Sequence, residues 1–97
     1  MLTIKRHIGQ PIQARGPAGM TAMIWVSNVN DDRLTVCVYD VHEYREIHGR
    51  FDEEFAIYEG FKLTVLHFTN VSMRWGINAE PYWRVVRSEV LLQEQAA

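Results

Sequence analysis

An all-β fold is predicted by three features of this 97-residue chain. Apolar and polar residues alternate in short runs. Glycine, proline, asparagine and aspartate break those runs at short intervals. Only the last ten residues, "SEVLLQEQAA", have a helical composition. The length fits a single domain over residues 1–97.

The first run, "LTIKRHI", alternates and stops at Gly9. "QPIQA" follows as a short strand whose Pro11 predicts a sheet edge. "RGPAG" is a loop by its glycine and proline content. "MTAMIWVSNV" and "RLTVCVYDV" are β-branched runs around "NDD", the pattern of a hairpin. "EYREIHGRF" fits strand or helix. "EFAIYEGFKLTVLHF" reads as two strands about a turn at Gly60, and "TNVS" is another tight turn. "MRWGI" and "YWRVVR" are the final strands. Ser88 is a sound N-cap, and the Ala, Leu and Glu after it favour a helix over 88–95. Cys37, Trp75 and Trp83 are expected in the core.

Composition excludes several classes. The chain is 47% hydrophobic and 23% charged, which is ordinary for a globular domain. No apolar run approaches the ~18 residues of a membrane span. "MLTIKRHIGQ" lacks the apolar core of a signal peptide, which predicts a cytoplasmic protein. The single cysteine excludes an internal disulfide and a cysteine zinc site. The four histidines show no His-x-His or His-x-x-x-His spacing, and no serine lies in a Gly-x-Ser-x-Gly elbow. No enzyme, metal or cofactor is expected.

Charge is unevenly placed. Residues 31–59 carry nine acids against three arginines, a net −6, while the rest carries a net +4. If the two ends meet in the fold, they form a basic patch that the overall −2 conceals. A possible repeat also shows. "VSNVNDDRLTVCV" aligns without a gap on "VLHFTNVSMRWGI", pairing Val26 with Val65, Val29 with Phe68, Leu34 with Met73, Val36 with Trp75 and Val38 with Ile77. "IKRHIGQPI" shares its pattern with "IHGRFDEEF".

"MLTIKRHIGQPI" and "FKLTVLHFTNVSMRWGINAEPYWRVVRSEV" resemble the carbon storage regulator family of bacterial RNA-binding translational regulators. The likeness rests on the opening Met-Leu and basic pair, on "GINA" at Gly76 to Ala79, and on Arg87 and Glu89 at the family's spacing. It covers roughly half the chain, in two end blocks. It implies a small interleaved antiparallel β-sandwich or barrel with a C-terminal helix. It further implies a dimer that binds GGA-containing hairpin loops in mRNA leaders or small RNAs, near ribosome-binding sites, and so modulates translation. The family's first-strand contacts map to Ile4, Lys5 and Arg6. Its last-strand contacts map to Val85, Val86 and Arg87, with Arg84 in support. Arginine's planar fork suits a guanine edge or a phosphate, and exposed loop bases are what such readers bind. The chain departs from the family at Val86, where histidine is common, and at Lys5 and His7 around Arg6.

The chain is over half again as long as a family member, and its extra residues, about 15–59, are the acidic part. Two arrangements compete. The segment is either an insertion in a homodimer or part of a degenerate tandem repeat that makes an intramolecular pseudo-dimer. The repeat leaves only about a dozen residues, between Asp40 and Glu53, for both a last and a first strand. A different class of function is a protein-interaction module on the same scaffold, without RNA binding, acting through the acidic middle.

Overall fold

The computed structural model describes residues 1–69 and 72–87 of the chain. Nine strands run in order: β1 (Leu2–His7), β2 (Ile12–Arg15), β3 (Thr21–Asn30), β4 (Arg33–Asp40), β5 (Tyr44–Arg50), β6 (Glu54–Tyr58), β7 (Phe61–Thr69), β8 (Ser72–Ala79) and β9 (Arg84–Arg87). The all-β expectation holds. The C-terminal helix expected over 88–95 lies outside the described residues. "EYREIHGRF" resolves as strand β5 over Tyr44–Arg50, paired along β4 with its alternate residues half-buried. No helix among the described residues is long and apolar enough to cross a membrane.

The strands form two antiparallel sheets. The first has the order β1-β8-β7-β6 and the second β5-β4-β3-β2-β9. The first sheet is a meander β6-β7-β8 that takes β1 from the start of the chain, and the second is a meander β2-β3-β4-β5 that takes β9 from its far end. Their inner faces make one core of Ile12, Ile24, Val26, Val36 and Val38 against Phe61, Leu63, Val65, Trp75 and Ile77. These positions alternate with outward residues along each strand, as a half-buried sheet requires.

β2 corrects one expectation. Pro11 suggested an edge strand, but β2 pairs with β3 on one side and β9 on the other. Pro11 precedes the first ladder residue, Ile12, so its missing N–H removes no ladder bond.

The two halves repeat each other strand for strand. Ala22↔Asp40 through Asn30↔Arg33 in β3/β4 matches Phe61↔Ala79 through Thr69↔Ser72 in β7/β8. The register shifts after Val26 in one ladder and after Val65 in the other, which are aligned residues of the sequence repeat. β1 lies on β8 as β5 lies on β4, with Ile4 opposite Trp75 and Ile47 opposite Val36. The turns after β1 and β5 also agree. Gly9 and Asp52 both have positive φ, and they donate their N–H to Val26 O at 2.8 Å and Val65 O at 2.9 Å. The correspondence stops at one strand: β9 lies on β2, whereas no described strand lies on the equivalent edge of β6.

Trp83 closes one end of the sandwich. It stacks on Tyr58 (5.4 Å, 19°), meets Phe61 edge-on at 5.2 Å, and donates its Nε1–H to Glu59 O at 3.1 Å. Gly16 leaves room for it, since a Cβ there would lie 2.6 Å from the indole. Trp75 and Cys37 are buried as expected.

Candidate nucleic-acid interface

The topology brings the two ends of the sequence together. β1 is an outer strand of the first sheet and β9 an outer strand of the second, on the same side of the sandwich. Met1 and Leu2 face Ile77, Trp83 and Val85 across a cavity of about 190 Å³. β5, β6 and the turns beside them form the opposite side; the strands themselves balance Glu46 and Glu54 against Arg45 and Arg50, and the excess acid lies in the turns at Glu43, Asp52, Glu53 and Glu59. There the Arg45 Nη2 donates to Ile57 O at 2.7 Å, joining the two sheets. The uneven charge of the sequence thus becomes a difference between two sides of the molecule.

Alternation decides what each strand of the candidate site presents. In β1, Thr3, Lys5 and His7 face outward, Ile4 is half-buried and Arg6 is turned inward. Arg6 is 3% exposed, with its Nε donating to Lys5 O at 2.8 Å and its Nη1 to Pro11 O at 3.2 Å. Its guanidinium thus braces the crossing from β1 to β2, where it was expected to support the RNA site. In β9, Arg84 and Arg87 are exposed and Val85 and Val86 half-buried. Val85 packs on the core beside Ala14, while Val86 shares the outer face with Gln13.

Register also gathers basic residues that the sequence alone left scattered. Lys5 stands directly opposite Arg74 in β8, and Arg15 directly opposite Arg84. Like charges so placed are unfavourable. The ion pairs among the described residues join Arg45 to Glu43, His48 to Glu46, Arg50 to Asp32 and Lys62 to Glu54. None reaches Lys5, Arg15, Arg74, Arg84 or Arg87. Arg15 instead donates its Nε–H to Gln13 Oε1 at 2.6 Å. Arg15 and Arg74 were missed in the sequence because strand pairing, not spacing, sets them beside β9 and β1.

The other side differs at the matching positions, although Arg33 stands opposite Arg50 there, with Arg50 paired to Asp32. β5 occupies the place of β1, but its Thr35–His48 pair, hydrogen-bonded at 3.1 Å, stands where β1 and β8 have Lys5 and Arg74. On the β6 side, Arg45 lies over the Tyr58 ring at 5.1 Å, and the Tyr58 hydroxyl donates to Asp40 Oδ2 at 2.6 Å. That bond, with the N–H groups of His42 and Glu43, holds the Asp40 carboxyl below its ordinary range. Burial, and then the same bond to Asp40, push the Tyr58 hydroxyl up to about 12. Among the described residues no group of His, Cys, Asp and Glu is placed to hold a metal.

Comparison of the chain with protein-family models, with curated proteins and with solved structures found no match.

Proposed function

We propose that the chain is an RNA-binding post-transcriptional regulator that holds a GGA-containing single-stranded loop along the joint side of β1 and β9. The observation that carries this reading is the meeting of those two strands, with Lys5 opposite Arg74, Arg15 opposite Arg84, and no ion pair from these residues or Arg87 to an acid among the described residues. Each of these like-charged cross-strand pairs is unfavourable in the free protein and is relieved by phosphates. Arg87 is the anchor on a base or phosphate, and Arg84 and Lys5 add phosphate contacts. The exposed backbone of β1 and β9, with Ile4, Val85 and Val86, shapes the path between them.

The family resemblance supports the same reading through connectivity. Two meanders that exchange outer strands are the arrangement the resemblance implies for a dimer, and here one chain supplies both. We infer a tandem pseudo-dimer: β1–β4 as the first copy and β5–β9 as the second, with the first copy's last strand missing. This also accounts for the short stretch between Asp40 and Glu53, which holds one strand and not two. One RNA per chain follows, because among the described residues β2 has such an added outer strand and β6 does not.

The test is a fluorescence titration of a hairpin with GGA in its loop against a loop-scrambled control, at fixed moderate salt. Selective binding at one RNA per chain is expected. Equal, weak binding to both hairpins overturns the reading and favours the interaction module, whose docking side would be the acidic turns beside β5 and β6.

A further inference from the structure

The outer face of the second sheet carries a feature that the β1/β9 site does not use. Val86, Gln13, Met23, Tyr39 and Tyr44 stand opposite one another in five adjacent strands, one straight row from β9 to β5. With neighbouring strands ~4.8 Å apart, the row is roughly 19 Å long. Tyr39 is 56% and Tyr44 48% exposed, and Met23 is half-buried. Trp25 lies on the same face, its ring centroid 6.1 Å from that of Tyr44 and tilted by 32°. A sheet face open to water is ordinarily polar, so aromatic residues here call for an occupant.

We propose that this face is a base-stacking platform for the single-stranded RNA flanking the loop held at β1 and β9. The inference rests on the RNA reading and extends it. Two observations select single-stranded RNA as the occupant. The row begins on β9, so it continues the proposed interface without a break. Arg84 and Arg15 border it at that end, directly opposite each other and with no ion pair to an acid among the described residues, where phosphates of a stacked strand pass. Aromatic side chains stack bases of any identity, which suits a flank whose sequence varies. Tyr44 is held for this: its hydroxyl donates to Glu46 Oε1 at 2.8 Å and lies 3.3 Å from the buried Cys37 Sγ. The path ends at β5, the outer strand of the sheet.

The experiment compares a GGA hairpin with blunt ends and the same hairpin with single-stranded adenosine tails, by fluorescence anisotropy. The tails should tighten binding roughly ten-fold or more. The double variant Tyr39→Ala, Tyr44→Ala should lose that gain and bind the blunt hairpin as the parent does. Equal affinities for the two hairpins, or a gain that survives the double substitution, overturns the platform. If neither hairpin binds, the β1/β9 reading has failed, and the platform is then read separately with oligoadenylate alone. Trp25 is the one tryptophan among the three that is not buried, so stacking should quench emission in the parent and not in Trp25→Phe. No quenching overturns the platform. So does a dimer, seen by sedimentation, that the double substitution dissociates, because the face would then be a contact between copies.

Discussion

Tyr58 donates its hydroxyl to Asp40 Oδ2 at 2.6 Å, tying β6 in the first sheet to the end of β4 in the second. The same ring stacks on Trp83 and lies under Arg45, so one side chain holds strand, plug and opposite sheet together. Tyr58→Phe keeps the ring and removes the bond. We expect a fall of roughly 5 °C in the thermal midpoint, read by circular dichroism. An unchanged midpoint would show that this bond adds nothing to the core packing and the Arg45–Ile57 bond that also join the sheets.

The pair also predicts a pH profile. Asp40 is depressed in the native state, by Tyr58 and then by the His42 and Glu43 amides, so its contribution is present above the ordinary carboxylate value. It is lost as pH falls through the native value, and Asp40→Asn should flatten that acid limb of urea stability. Tyr58 is raised to about 12 from 10.0, so its contribution is intact below 10.0 and lost as pH rises towards 12. Tyr58→Phe should remove this alkaline loss.

Trp83 fills the end of the core against Tyr58, Phe61 and Gly16. Trp83→Ala should lower the unfolding free energy by about 3–5 kcal/mol in urea titrations. Gly16→Ala is expected to destabilise as well, because the added methyl meets a rigid, enclosed ring.

Arg87 and Arg6 should behave differently although both were expected to serve one site. Arg87→Ala leaves the fold intact and weakens the GGA hairpin by ~1–3 kcal/mol if the side chain reads a base. Arg6→Ala lowers the denaturation midpoint, since it removes the donors to Lys5 O and Pro11 O. Affinity lost at unchanged stability in Arg6→Ala would return that residue to the RNA surface.

Lys5→Ala relieves the repulsion from Arg74 and removes one phosphate contact. The expected result is slightly higher stability, weaker binding of both GGA and scrambled hairpins, and a salt slope smaller by ~1. A loss confined to the GGA hairpin would assign Lys5 to base reading instead.

Period-2 alternation and turn chemistry were enough to predict eight of the nine strands from residues alone. Short apolar runs of β-branched residues between Gly, Asn and Asp have one stable arrangement, a paired strand with one face buried. The gapless repeat pairs were legible for the same reason: Val26, Val36 and Val38 bury in the first copy as Val65, Trp75 and Ile77 do in the second. The ambiguous "EYREIHGRF" was not settled by its own residues, because only burial against β4 distinguishes its two periods.

Strand partners were decided by tertiary structure alone. Pairing is non-local: nothing in "QPIQA" announces that β9, some seventy residues later, will lie beside it and displace it from the sheet edge. The inward turn of Arg6, the juxtaposition of Arg15 with Arg84 and of Lys5 with Arg74, and the five-strand row from Val86 to Tyr44 all depend on register between strands. The sequence by itself determined which residues alternate and where the charge lies. Which strands meet, and so which charges share a surface, was set by burial of both inner faces in one core, to which residues far apart in the chain contribute together.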